Sequence, residues 1–446
     1  MKVVVIGAGI VGACCALELL RDGHQVTLLE PGEPGAEQAA SHGNGAWLSP
    51  ASIVPMALPG LWKKVPGFLL DPDGPLTIRW QALPRLLPWL ARFILAGSSV
   101  ARVERTARHL RQLLQDAPAR HLALAAEAGA SDLLQQHGLL YAYPDRAAFD
   151  AEALAWRLRR DNGVQWAELD GPALRTAVPD LSERYSFGVW VEAGANCLNP
   201  GDYVAALVAH AQRCGAHLQR GRALGLRGEG GRLRGVLSSV GELPCERAVL
   251  ACGIHSQGLA QALGDRVPMA SERGYNVVLR DTGVHLSMPV MPSDGKMANT
   301  STTAGLRISG QVELASVDAP ANWRRSDVLL HHGLNSYPKL EGRHFDPQSM
   351  TRWLGHRPSV ADGLPVIGPS SACADVIHAF GHGHIGLAAG PISGRLVADL
   401  IAATPAVVDP WPYRAGRFQT RLGAWLEKQL SGPRKNRKND LLWVPR

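Results

Sequence analysis

The sequence predicts an α/β protein in two parts. One is a doubly wound parallel-sheet domain assembled from discontinuous segments; the other is an inserted α+β domain with a large antiparallel-rich sheet. Three observations predict this. The chain opens on strand, glycine turn and helix, with a second strand behind them. Its middle alternates with the period of paired strands, above all over 266–317. Strand–loop–helix order then returns at 351–402. A chain of 446 residues is long enough for two domains. The expected partition is 1–56, 191–265 and 350–415 for the first domain, 57–190 and 266–349 for the second, and a C-terminal helix and basic tail at 416–446.

The opening elements follow in order. Residues 2–6, KVVVI, are an apolar strand-forming run, followed by Gly7, Gly9 and Gly12 in G-x-G-x-x-G spacing. Gly7 permits a tight turn, Gly9 lets the backbone approach a pyrophosphate, and Gly12 lets helix and strand pack closely. Ile10 and Val11 fall at the helix N-terminus, whose free N–H groups and partial positive charge suit phosphates. The second strand, QVTLL, ends at Glu30, an acid placed to accept hydrogen bonds from a ribose 2′-OH and to disfavour a 2′-phosphate. The unit reads as a Rossmann-type dinucleotide site unsuited to NADP. At this point nicotinamide and flavin nucleotides fit equally.

The glycine-rich stretch Ser41-His42-Gly43-Asn44-Gly45-Ala46 leaves this unit. Residues 82–96 form an apolar segment with Arg85, Arg92 and two prolines, expected as a helix capping a domain, with a membrane-interfacial surface as the alternative. Residues 100–137 predict one or two long helices and 202–215 another. Strands joined by glycine turns follow over 215–239, then ERAVLACG, a buried strand that brings Ala251 and Gly253 to its end. Near the C-terminus VIHAF runs into Gly381-His382-Gly383-His384-Ile385-Gly386 and a helix opening on small residues. This is a second glycine loop at a helix N-terminus. Flavin gains negative charge on reduction, so a second helix dipole favours a flavin nucleotide over a nicotinamide one.

The formal charge of +7 is mostly a tail effect: Arg434, Lys435, Arg437, Lys438 and Arg446 against Asp440 leave about +3 elsewhere. Such a tail is read as solvated, and no nucleic-acid module is visible. Seven scattered cysteines, with no C-x-x-C pair and no zinc spacing, fit reduced thiols in a cytoplasmic protein, and Cys14 and Cys15 read as packing residues. The glycine spacing argues against reading the N-terminus as a signal peptide, and no charge-free apolar run is long enough to span a bilayer.

The segments GAGIVG with Glu30, SHGNGAWLSP, AVLACG, ERGYNVVL, GLRISGQVELASVDAP, RPSVADGLPVIG and GHGHIGLAAGPISG occur in one order along nearly the whole chain. In that order they resemble the FAD-dependent D-amino-acid oxidase-like superfamily, most of all its bacterial D-amino-acid dehydrogenase branch. The resemblance implies FAD held by Gly7, Gly9, Gly12 and Glu30, with Ser41, His42, Asn44, Gly45 and Ala46 near it. It also implies flavin contacts from Gly381, Gly383, His384, Ile385 and Gly386. Two departures stand out: Ala46 and Trp47 follow the Asn-Gly pair where the family has a small residue, typically glycine, and 297–304 lacks the family's cation.

The implied reaction is oxidation of a D-amino acid to an imino acid, with D-proline and hydroxy-D-proline among the candidates. Hydride passes from the α-carbon to flavin N5, and electrons go on to a quinone or carrier. The alternatives are a glycine- or sarcosine-type amine oxidase using oxygen, and a non-catalytic flavin-binding protein. No side-chain base is required. A carboxylate calls for the two-pronged fork of an arginine. Arg357 matches the superfamily position for it, and Tyr275 and Arg273 are the next candidates. His42, His382 and His384 are expected as hydrogen-bonding or packing residues. The expected location is cytoplasmic, with peripheral contact at the inner face of the membrane as an extension.

Overall fold

The computed structural model describes residues 1–71, 73–419 and 440–445. The chain divides into two compact units: Met1–Pro34, Leu207–Ala270 and Pro358–Arg446 form the first, Gly35–Ala206 and Ser271–Arg357 the second.

The first unit is built on a six-stranded sheet. Its elements are β1 (Lys2–Ile6), α1 (Ile10–Arg21), β2 (Gln25–Glu30), β3 (His217–Arg220), β4 (Arg247–Leu250), β5 (Val366–Pro369), β6 (Val376–Phe380) and α2 (Gly386–Ala402). The strand order is β3-β2-β1-β4-β6-β5. All pairings are parallel except that of β5 with β6. A central parallel strand is covered on both faces, which is why β1 reads as an unbroken apolar run: Val3, Val4, Val5 and Ile6 are all buried. Helices α1 and α2 approach through small residues. A Cβ on Gly394 would stand 2.6 Å from the Cys14 carbonyl carbon, so only glycine admits this packing. Cys14 and Cys15 are buried, as packing residues.

A second, antiparallel sheet joins Ala223–Glu229, Arg232–Ser238 and Gly241–Pro244, and Asp440–Trp443 adds at its edge. The end of the chain is therefore not wholly a solvated extension, since four of its residues pair with Leu226–Glu229. The helix expected after 416 and the tail cations Arg434, Lys435, Arg437, Lys438 and Arg446 lie outside the described residues.

The second unit carries a nine-stranded sheet. Its main path runs 350–360, 269–279, 305–314, 298–302, 290–292, 139–143, 187–191, 167–169, with 76–78 pairing in parallel to 305–314. Tyr275, Val277, Ile308, Leu329 and Tyr337 form part of its core. Two segments assigned by sequence to the nucleotide domain, 35–56 and 191–206, belong here instead. The reason is pairing: Trp47–Leu48 is antiparallel to Ala195–Cys197, which also pairs with Leu134–Gln135. Residues 350–357 also belong here, as part of a strand of this sheet. Helices Val100–Leu114 and Ala117–Ala128 occupy the stretch expected to hold one or two helices. The segment 82–96 is the helix Leu83–Ala96, with Pro84 in its first turn, where no intrahelical N–H bond is lost. It buries Leu86 and Trp89, while Leu87, Ile94 and Leu95 are exposed.

Candidate functional site

In the first unit the glycine turn has the geometry its spacing implies. Gly7 is left-handed (φ 103°), and a Cβ there would stand 2.6 Å from the Ala251 carbonyl oxygen. A Cβ on Gly12 would collide with the Gly7 carbonyl oxygen. Gly9 is the N-cap of α1, extended, and no side chain caps the helix. Ile10 and Val11 form its first turn, and the positive end of the helix is left to a ligand. Glu30 is buried at the end of β2. Its carboxylate accepts the Ala8 N–H at 2.8 Å and the Gly32 N–H at 3.3 Å, so the acid that would meet a ribose also pins the turn. Gly253, also left-handed (φ 57°), opens the short helical turn after β4.

The second loop leads into α2. Gly381 (φ 82°) and Gly383 (φ 51°) are left-handed, and a Cβ on Gly381 would stand 2.5 Å from Val360 Cγ2. Ile385 is the N-cap of α2, Gly386 its first residue, and no side chain caps this helix either. His384 is exposed. His382 is buried, its Nε2 3.0 Å from Ser393 Oγ. Burial pulls its pKa down to about 4, so it is neutral near pH 7. Two uncapped helix N-termini, two glycine turns and a terminal acid fit FAD.

The loop 41–46, in the second unit, shows its chemistry in its carbonyls. Each is held by a donor: Ser41 O by Asn44 Nδ2 (2.7 Å), Gly43 O by Asn276 Nδ2 (2.8 Å), Gly45 O by Thr300 Oγ1 (3.1 Å), Ala46 O by Cys197 N (2.8 Å). His42 O and Asn44 O both accept from Arg307 Nη1, at 3.3 Å each. The N–H groups of Gly43, Asn44 and Gly45 have no protein acceptor among the described residues. In a trans peptide the carbonyl and the following N–H point opposite ways. A loop whose carbonyls are all held by protein donors turns the following N–H groups the opposite way. His42 Nδ1 sits 2.9 Å from Gly35 O, and its ring tilts toward Trp353. Ala46 is left-handed (φ 63°), which explains the family's preference for glycine here; an L-residue in this conformation costs roughly 1–2 kcal/mol.

Of the three carboxylate candidates, one keeps its availability. Arg357, half-buried on the strand Met350–Val360, donates from Nη1 to Gln311 O at 2.9 Å and from Nη2 to Gly310 O at 3.4 Å. A guanidinium has five N–H donors, so donors remain for a ligand. Desolvation lowers its pKa from the usual arginine range, opposed by the charge of Glu272. Gly274 makes its space, since a Cβ there would stand 2.6 Å from Arg357 Nη1. Gln311 is itself left-handed (φ 58°), a conformation worth roughly 1–3 kcal/mol of strain, and it carries the carbonyl that holds Arg357.

Arg273 and Tyr275 are already engaged, which corrects their expected role. Both are about 1% exposed. Arg273 pairs with the fully buried Glu313 at 3.2 Å and donates to Ala319 O and Pro320 O. Tyr275 donates its hydroxyl proton to Glu313 and accepts the Asn322 N–H at 3.0 Å. Arg79 reaches the other Glu313 oxygen at 2.7 Å. The cluster is a buried ionic brace, and releasing either residue to a substrate would strand Glu313.

Sequence reasoning missed the polar face of the strand Gly305–Leu314. Arg307, Ser309, Gln311 and Glu313 recur at every second position and are all buried, while Leu306 and Ile308 face the core. That alternation of polar residues was the available signal.

Comparison with known proteins agrees with this geometry. A family model described as FAD dependent oxidoreductase, DAO, matches residues 2–400. The chain belongs to the DAO family of FAD-dependent oxidoreductases. FAD is accordingly its cofactor. A D-amino-acid oxidase of Bradyrhizobium diazoefficiens is 48% identical over 93% of this chain and 98% of its own length. A D-amino acid dehydrogenase of Paramagnetospirillum magneticum is 32% identical over 95% of this chain and 100% of its own. Among solved structures, a glycine oxidase from Geobacillus kaustophilus superposes with a TM-score of 0.69 at 20% identity, covering 94% of this chain and all of its own. An L-proline dehydrogenase from P. horikoshii gives 0.69 at 17% identity, covering 94% and 97%. These structures share the fold.

Proposed function

We propose that this protein oxidises D-amino acids at the α-carbon to imino acids, which hydrolyse to 2-oxo acids. The observation that carries the reading is Arg357, a half-buried arginine with part of its fork held by backbone carbonyls and the rest unspent. FAD, when bound, supplies the hydride acceptor at flavin N5. Arg357 takes the substrate carboxylate two-pronged and so fixes which way the α-C–H points, which is most of what hydride transfer asks of a protein. Its positive charge also lowers the pKa of the nearby substrate ammonium, helping it reach the neutral form that reacts. His382, neutral and bonded to Ser393, holds its loop and exchanges no proton near pH 7.

A panel of D- and L-amino acids, N-methyl amino acids, D-proline and hydroxy-D-proline, read by dye reduction, tests the substrate class. Turnover confined to L-amino acids, or no anaerobic bleaching of the flavin by any D-amino acid, overturns it. For the acceptor, the 48%-identical oxidase favours dioxygen over the quinone or carrier expected from sequence. Fast reoxidation by air supports this choice, and reoxidation only by a quinone analogue reverses it.

A second reading concerns location: cytoplasmic, with peripheral contact at an anionic membrane. The helix Leu83–Ala96 favours it, because Leu87, Ile94 and Leu95 are exposed on it together with Arg85 and Arg92, and Trp80 in the turn just before it is exposed too. Sedimentation with anionic vesicles, lost in Leu87→Ser/Ile94→Ser, is the test; no sedimentation at low salt removes the reading.

A further inference from the structure

Two successive carbonyls hold Arg357, those of Gln311 at 2.9 Å and Gly310 at 3.4 Å. In an extended strand successive carbonyls point to opposite sides, so one guanidinium does not reach both. The angle between these two is set by φ and ψ of Gln311, and its left-handed φ of 58° breaks the alternation. The sheet shows where this departure comes from. Between the pairs Arg273–Glu313 and Tyr275–Gly310, one strand contributes Gly274 alone and the other Gln311 and Val312, which is a β-bulge. A left-handed first position in a bulge ordinarily belongs to glycine, and an L side chain there is strained. Gln311 is tied down instead. It is 5% exposed, its Oε1 accepts from Arg325 Nη1 at 3.2 Å, and the same nitrogen donates to Gly74 O at 3.2 Å. Next along the strand the Val312 N–H donates to Pro75 O at 2.8 Å, so residues 74 and 75 fasten the bulge through side chain and backbone alike. All of these residues lie in the second unit.

We propose that Gln311 is a positioning residue for the substrate carboxylate: its left-handed conformation, locked by Arg325, turns two carbonyls to one side and so aims the fork of Arg357. The proposal rests on the reading of Arg357 as the carboxylate site. Two anchors fix both the place and the plane of a guanidinium, whereas one lets it swing about a single bond, and a two-pronged contact with a carboxylate depends on that plane. Gly274, alone opposite the bulge, leaves the room for this arrangement, since a Cβ there would stand 2.3 Å from Arg357 Cζ.

The test compares, in the holoenzyme, a D-amino acid that the protein turns over with the carboxamide of that amino acid, each as substrate or competitive inhibitor. Only the acid can take the fork of Arg357 two-pronged. The preference for acid over amide therefore reads the aim of Arg357, while a general loosening of the fold weakens both alike. Gln311→Val puts a β-branched side chain where the left-handed conformation is least tolerated, and it lowers that preference at least about tenfold. Gln311→Gly takes the conformation freely and needs no tether, so it recovers the preference to within about threefold of wild type. Arg325→Met removes the lock and leaves the bulge sequence intact; it lowers the preference too, and it carries the test if the valine variant does not fold. If Gln311→Gly and Gln311→Val lower the preference equally, or if acid and amide weaken together, the left-handed turn does not aim Arg357 and the proposal is wrong. Arg357→Ala separates the reading beneath it. A preference that Arg357→Ala leaves unmoved removes the carboxylate site and the proposal with it. One that falls in Arg357→Ala but in neither Gln311→Val nor Arg325→Met overturns the proposal alone.

Discussion

Gly274→Ala tests the proposed carboxylate site without touching Arg357, the residue proposed to form it. The added Cβ would stand 2.6 Å from Arg357 Nη1 and closer still to Cζ and Nη2, where ordinary contact begins at 3.4 Å. The obstruction is the far end of a flexible side chain, so the strand keeps its place and the guanidinium moves, by about 1 Å. That displacement breaks the geometry with Gln311 O and Gly310 O and shifts the fork from the carboxylate. Misplacement on this scale costs roughly a hundredfold in the reaction. The expected result is a 10–100-fold loss in kcat/KM for a D-amino acid, in KM from the weakened carboxylate contact and in kcat from the lost orientation, with flavin content and thermal midpoint close to wild type. Steady-state kinetics beside an absorbance measurement of bound flavin checks it. A variant that keeps wild-type KM while Arg357→Ala loses it would refute the argument that Gly274 sets the position of Arg357.

Other expectations follow from the same geometry. Gly9→Val closes the backbone approach at the N-terminus of α1 and abolishes flavin content; a fully loaded yellow variant would contradict the dinucleotide assignment. His382 has its pKa pulled from the ordinary 6.5 to about 4. The unfolded chain therefore binds a proton that the folded one refuses, and stability is lost as pH falls from 6.5 to 4, by up to about 3 kcal/mol from this group. His382→Gln should flatten that slope in urea midpoints taken at pH 7 and pH 4.5; an unchanged slope assigns the acid sensitivity elsewhere. Deleting 440–446 removes the edge strand on Leu226–Glu229 and should cost about 1–3 kcal/mol from its cross-strand pairs. The thermal midpoint then falls while turnover per bound flavin stays constant, whereas an unchanged midpoint would mean the strand contributes nothing.

What the sequence disclosed depended on whether the partner of a residue lay nearby. The G-x-G-x-x-G turn, Glu30 and the loop before α2 are local, and spacing alone described them because their geometry is closed by neighbours a few residues away. The assignment of 35–56 failed because its strand, Trp47–Leu48, is completed by Ala195–Cys197, far along the chain. Arg273 and Tyr275 looked available because nothing near them is acidic except Glu272; the carboxylate that holds them is Glu313 on the next strand. Loop 41–46 was legible as a glycine-rich segment, yet its polarity was hidden, since the groups that orient it come from Cys197, Asn276, Thr300 and Arg307.

The thiols bear on how this protein survives its own chemistry. If oxygen takes the electrons, each turnover releases peroxide, and peroxide attacks thiolates. Six of the seven cysteines are wholly or largely enclosed and only Cys214 is exposed. Desolvation raises the Cys14, Cys15 and Cys373 thiols, pushes Cys197 and Cys245 up to about 12, and Cys252 to about 11. For Cys14 the close packing of α1 against α2 thus doubles as chemical armour. Oxidative wear during turnover is directed to one surface position, Cys214, where a reversible label or a serine replacement can meet it without disturbing the interior.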